Sequence, residues 1–159
     1  MIKRISPEET YLLRREILRK NLPQESHEFS GDFDDQTFHL GYFVEDRIVG
    51  IITVLKNGEI AQIRGMAVSE DYQGKGIGKK LVEKAEEILS EAQIHKIWMN
   101  ARETAAEFYE KLGYKIEGDK RECTLCSSMF IKTSKTVTLC NKCNSERVKS
   151  QSPIMKMYR

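Results

Sequence analysis

Gln73-Gly74-Lys75-Gly76-Ile77-Gly78 sets three glycines at alternate positions in front of a helix. An apolar, strand-like segment ends just before it at Val68. After it, Ile77, Leu81, Val82, Ala85, Ile88, Leu89 and Ala92 recur at the spacing of one buried helical face. Glycine lets the backbone turn sharply and lets a ligand come close to the amides. A helix N-terminus adds unpaired N–H groups and the positive end of the dipole, and together these bind phosphate. The stretch predicts a phosphate-bearing cofactor, against the alternative of a purely structural turn.

Two common phosphate motifs do not fit. A P-loop requires Gly-Lys followed by Ser or Thr for magnesium, whereas Gly78 is followed by Lys79-Lys80. The dinucleotide fingerprint spaces its glycines G-x-G-x-x-G and places an acidic residue about 20 positions on. Here the glycines are spaced by two throughout, and the stretch Ile94–Ile97 contains no carboxylate.

Read from Val68 to Gly78, the segment resembles the acetyl-CoA pyrophosphate loop of the GNAT superfamily of N-acetyltransferases, Q/R-x-x-G-x-G/A after a strand ending in a small-apolar pair, here Ala67-Val68. A second stretch, Asn100 followed by Ala105-Ala106-Glu107-Phe108-Tyr109-Glu110-Lys111-Leu112-Gly113-Tyr114, is similar to that family's other cofactor motif. The resemblance implies an α/β fold, a mixed central sheet flanked by helices, over residues 1–118 and the last strand at 151–159. It also implies direct transfer of an acetyl group from acetyl-CoA to a primary amine. The amides of Gln73, Gly74, Lys75, Gly76, Ile77 and Gly78 would then take the pyrophosphate. Met66, Ala67 and Val68 would pair with the pantetheine arm, and a Val68 amide would face the oxyanion. Asn100 would face the pantetheine or the acceptor, Phe108 would belong to the same cofactor motif, and Tyr109 would protonate the departing thiolate. The bland alternatives are a half-buried helical Tyr109, an Asn100 that ends a strand, and a solvated face for Lys75, Lys79 and Lys80.

The base is open. Many relatives place a glutamate on the fourth strand, at about Gln62 here, and neither Gln62 nor the neighbouring Arg64 accepts a proton. A water chain, Glu70, His39 or a carboxylate of the 25–35 loop remain candidates. That loop carries Glu25, Glu28, Asp32, Asp34 and Asp35, which points to a small cationic amine as acceptor or to a solvated acidic loop.

Elsewhere the pattern predicts a strand over 2–6 and a helix over 7–20, opened by Ser6, Pro7 and Glu9, with Tyr11, Leu12, Ile17 and Leu18 inward. A hairpin over 38–44 and 47–55 follows, turning at Glu45-Asp46, then Asn57-Gly58 into a strand over 59–68, in which Gly65 suggests a bulge or a close backbone approach. Strands are expected over 96–100, 114–117 and 153–158, and a helix over 104–112.

Between Gly118 and Pro153 the chain carries Cys123, Cys126, Cys140 and Cys143 as two C-x2-C pairs. This spacing reads as a tetrahedral, structural zinc ribbon over 119–150, with disulfides or a redox pair as alternatives. Residues 113–159 hold ten Lys/Arg against four Asp/Glu. A basic ribbon raises a second reading, nucleic-acid binding, weakened because only Phe130 and Tyr158 are aromatic after Tyr114. A third reading is an acetyl-CoA-binding protein without catalysis. No apolar run nears the length of a membrane span, and Pro7-Glu8-Glu9 interrupts any leader-like segment, so a cytoplasmic chain with reduced thiols is expected. Assembly as a homodimer is left open.

Overall fold

Two tight turns set the first half of the sheet. β1 (Ile2–Ile5) pairs antiparallel with β2 (Thr37–Val44), which pairs with β3 (Arg47–Asn57). Glu45 and Asp46 close that hairpin with φ of 46° and 64°, the two-residue turn whose twist matches its strands. Gly58 turns β3 into β4 (Ile60–Val68) at a φ of 63°. The computed structural model describes residues 1–20, 27–117, 121–122 and 129–136.

α2 (Ile77–Glu91) crosses from β4 to β5 (Lys96–Arg102), the connection length that parallel neighbours need. Its inner residues Ile77, Leu81, Val82, Ala85 and Leu89 pack with Val49, Ile52, Val54, Ile97 and Met99. Each large aliphatic side chain so buried contributes about 1.5–3 kcal/mol. α3 (Ala106–Lys111), β6 (Lys115–Ile116), β7 (Arg121–Glu122) and β8 (Met129–Thr136) follow. The sheet runs β1-β2-β3-β4-β5-β8-β6, with β7 paired to β8.

β4 and β5 pair only at Ile60–Lys96, Ala61–Ile97 and Gln62–Trp98, and beyond Gln62 they part. The cause is in β4. Ile51 opposes Ala67 while Thr53 opposes Arg64, so β4 holds one extra residue there. Gly65 absorbs it at a φ of 55°, and a Cβ at this position would lie 2.7 Å from the Phe29 ring. Such a bulge bends its strand. The bulge expected from Gly65 is therefore present, and it opens the sheet.

The first helix departs from expectation. α1 is built from Glu8–Thr10, Tyr11–Leu13 and Arg14–Leu18. Its last part is wider than an α-helix, with the Arg19 N–H bonded to the Arg14 carbonyl at 2.8 Å. Glu9 accepts the Ser6 N–H at 2.6 Å, half of the anticipated capping box. Leu12, expected inside, is 56% exposed, while Leu13 and Arg14 are buried. The inward face is thus set by Leu13, which packs on Ile51 and Ala67 on the sheet face opposite α2.

The C-terminal part also requires correction. β8, in a stretch expected to belong to the zinc-ribbon insert, pairs antiparallel with β5 from Lys96–Thr136 to Arg102–Phe130. Residues 129–136 are therefore sheet, not part of a separate insert over 119–150. Alternation with β-branched residues serves a ribbon hairpin and an added strand equally, so periodicity does not separate them. All four cysteines and residues 151–159 lie outside the described residues. Among the described residues, no group of His, Cys, Asp and Glu could hold a metal, and no helix is long and apolar enough to cross a membrane.

Candidate active site

The parting of β4 and β5 leaves a cleft of about 410 Å³. Met66 comes to it from β4, Asn100 from β5 and Tyr109 from α3, three residues that the sequence assigned to one site. Asn100 is exposed on its strand end. Tyr109 is 6% exposed, packed edge-on to Phe108 at 5.0 Å and Tyr114 at 5.7 Å. Its hydroxyl points at the Met66 sulfur, 3.8 Å away. Burial pushes the Tyr109 phenol well above its ordinary value. A phenol that holds its proton this firmly is a donor over the whole physiological range, not a base.

The glycine loop lies where β4 runs out. The Gln73 side-chain amide donates to the Val68 carbonyl at 2.9 Å, tying the loop to the strand end. The Ser69 N–H donates back to Val49 of β3 at 2.8 Å. By strand alternation the Val68 N–H then points away from β3, toward the side that β5 has vacated. Gly74 and Gly76 have φ of 74° and 79°, and a side chain on either would meet nothing within 4 Å. The Lys80 N–H bonds to the Gly76 carbonyl, and no side chain caps α2. The first-turn amides of Ile77, Gly78 and Lys79 therefore have no partner within the helix. The positive end of a fifteen-residue helix lies behind them.

Gly78 joins the two sequence motifs. A Cβ there would sit 3.3 Å from the Phe108 ring and 3.6 Å from Met66. Phe108 thus packs against the start of α2 and holds α3 beside it, a structural contact. Lys75 lies over the Tyr72 ring at 4.9 Å, and Lys79 pairs with Glu83 at 3.9 Å on the exposed helix surface.

The candidate bases fare unequally. Gln62 lines the cleft, as its strand position implied. Glu70 is exposed beside Lys20, and His39 is buried away from the cleft. His39 Nε2 donates to the Asp32 carbonyl at 3.0 Å and Nδ1 accepts from Thr53 Oγ1 at 2.8 Å. In the neutral ring this tautomer follows because the Asp32 carbonyl can only accept, which puts the proton on Nε2. Burial, partly opposed by Asp32, lowers the His39 pKa below its ordinary value.

None of the acidic loop's described carboxylates lines the cleft, and Glu25 lies outside the described residues. Asp32 is buried in an ion pair with Arg14, and Asp34 and Asp35 line a separate hollow with Thr37 and Lys56. No described Asp or Glu lines the cleft. Its charged residues are Arg19, Arg64 and Arg102, which sequence reading did not single out as binding residues. The available signal was alternation: Gln62 and Arg64 recur along β4 as Asn100 and Arg102 do along β5.

The profile of the acetyltransferase (GNAT) family matches residues 7–114. YitI of Bacillus subtilis (strain 168), an uncharacterized N-acetyltransferase, is 33% identical over 125 residues, covering 74% of this chain and 84% of its own. An aminoglycoside 6'-N-acetyltransferase crystallised with coenzyme A superposes with a TM-score of 0.74 at 18% identity, over 88% of this chain and 98% of that one. The PaiA N-acetyltransferase of Thermoplasma acidophilum, also with coenzyme A, gives 0.68 at 20% identity, over 86% and 98%. The chain belongs to the acetyltransferase (GNAT) family and is an acetyl-CoA-dependent N-acetyltransferase.

Proposed function

We propose that the cleft between the parted ends of β4 and β5 carries acetyl transfer to a primary amine by direct attack. The observation behind this is the convergence of Met66, Asn100 and Tyr109 on the one gap where β4 and β5 stop pairing. An unpaired strand edge accepts an extended ligand as an added strand. On this reading the Met66–Val68 edge takes the pantetheine arm, and the open amides from Gly74 to Lys79 take the pyrophosphate. The Val68 N–H faces the oxygen that becomes anionic as the amine adds to the thioester. As the C–S bond breaks, Tyr109, kept protonated by its raised pKa, donates its hydroxyl hydrogen to the leaving sulfur, and a proton given up there is replaced from the water that carries off the amine proton. No described carboxylate or imidazole in the cleft takes the amine proton, so it leaves through water, with Gln62 able to orient that water by hydrogen bonds. Release of free thiol from acetyl-CoA over a panel of amines tests the reading.

We further propose that Cys123, Cys126, Cys140 and Cys143 hold one structural Zn²⁺. The donor set supports it: four thiolates in two C-x2-C pairs make a closed tetrahedral site with no open position for catalysis. The pairs flank β8 in sequence, and an eight-residue strand is about 23 Å long. A single site therefore needs the flanking segments to fold back along it. A cytoplasmic location, proposed with it, would keep the four thiols reduced for the metal.

A further inference from the structure

Cleft charge argues against the cationic acceptor that the acidic loop suggested. Asp32 is committed to Arg14, whose terminal nitrogens lie 2.6 and 2.9 Å from its two oxygens. Asp32 also accepts the Phe29 N–H at 2.8 Å. Its charge is thus matched inside the fold. Around the same Phe29 ring stand Arg14 at 3.9 Å, Arg19 at 4.9 Å and Arg64 at 5.3 Å.

Arg64 and Arg102 both line the cleft, one from each parted strand, and each is bonded to a neutral backbone oxygen. Arg64 donates to the Ser30 carbonyl at 2.8 Å. Arg102 donates to the Leu18 carbonyl. Neither forms an ion pair with a described residue. Each guanidinium keeps further N–H donors beyond its one backbone bond. Burial first, then the nearby Arg14 and Arg19, lower the Arg64 pKa against the pull of Asp32, so positive charge is crowded here.

We infer that the acetyl acceptor is a small amine that also carries an anionic oxygen group, a carboxylate or a phosphate, held by Arg64 and Arg102. Guanidinium planes match such groups in two-point hydrogen bonds. The cleft, about 410 Å³ and shared with the thioester end, suits a metabolite-sized molecule. Arg64 lies four residues before Val68 on β4, and the glycine loop lies beyond Val68. The anion is therefore bound on the far side of Met66 from the pyrophosphate amides, with the amine between them. A polyamine would meet like charge.

This inference rests on the acetyltransferase reading, and the test separates the two. Wild-type protein is assayed with acetyl-CoA and L-glutamate, L-aspartate, glucosamine 6-phosphate, the matching amides and unphosphorylated sugar, and spermidine. Calorimetry with the same amines, without acetyl-CoA, reads the anion site alone. Anionic amines are expected to bind and react, with amino acids and the sugar phosphate telling carboxylate from phosphate. Arg64→Gln and Arg102→Gln should each raise KM for the anionic amine about ten- to hundredfold, the loss of a charge-assisted hydrogen bond. Both should leave KM for acetyl-CoA unchanged. Equal or better use or binding of spermidine or neutral amines overturns the inference and leaves acetyl transfer standing. A rise confined to the acetyl-CoA KM also overturns it, since the arginines would then hold the cofactor. Failure of every amine to be acetylated sinks the acetyltransferase reading, and calorimetry still decides the anion site.

Discussion

Arg14 and Asp32 form a fully desolvated ion pair, with their side chains 0% and 1% exposed. The pair bolts α1 to the loop before β2 and, through Thr53, to the middle of β3. Removing one partner strands the other charge where water cannot reach it. Arg14→Met should therefore destabilise the fold by about 3–5 kcal/mol. Urea unfolding measures this, and a change within error would show that the charge is relieved by water.

Gly76 and Gly58 share a conformation but not a location. Both have positive φ, 79° and 63°, and open space where a side chain would go. Valine at either position carries the same kind of backbone strain. Only at position 76 does the side chain enter the space before the first-turn amides of α2. Gly76→Val should lose the rise in melting temperature that acetyl-CoA confers on the folded state, and Gly58→Val should keep it. Equal behaviour of the two variants would remove the loop from cofactor binding.

His39 should make stability pH-dependent on the acid side. Its folded pKa is lowered, chiefly by burial, from the ordinary value near 6.5. Above 6.5 both folded and unfolded chains carry it neutral, and it contributes no slope. As pH falls from 6.5 toward the lowered folded value, the unfolded chain binds a proton that the native state refuses, so stability falls. The slope due to this residue is at most about 1.4 kcal/mol per pH unit. Urea midpoints of wild type and His39→Gln between pH 8 and pH 5 should converge as pH falls below 6.5. Parallel curves would mean that His39 takes up its proton as readily in the fold as in the unfolded chain.

Metal analysis of purified protein should find about one zinc per chain, by the four-ligand count of a closed site. Cys140→Ser should lose it. Zinc-free protein with disulfides by mass spectrometry would exclude the site, and one zinc per two chains would make it a bridge between copies.

The site was legible where chemistry depends on neighbours in sequence. The alternating glycines mark the mouth of α2, and Tyr109 of the Phe108-Tyr109 motif lines the cleft with Met66 and Asn100. Gly65 was readable as a bulge or a close approach because those are the usual reasons for a lone glycine inside a strand, and the structure shows both. What was not legible depends on partners distant in the chain. The Arg14–Asp32 pair joins residues 18 apart across two elements, and nothing in a helical period shows that an arginine is the buried position. The same pair turned an apparent substrate-facing carboxylate into a structural one. Arg64 and Arg102 acquire meaning only when β4 and β5 part and leave both lining one cleft. The place of β8 escaped for a different reason, since the flanking C-x2-C pairs assigned its residues to a zinc ribbon.

The most direct measurement is a single-turnover reaction of protein preloaded with acetyl-CoA, following free thiol and acetylated amine together in wild type and Tyr109→Phe. The Tyr109 hydroxyl has only the Met66 sulfur as a described partner, so its removal should scarcely alter stability or acetyl-CoA binding. The account predicts thiol and product appearing in equal amounts in wild type, and both slowed by about 10²–10⁴ in the variant. Acetyl-CoA bound without acetylation of any amine, or full speed in Tyr109→Phe, would contradict it.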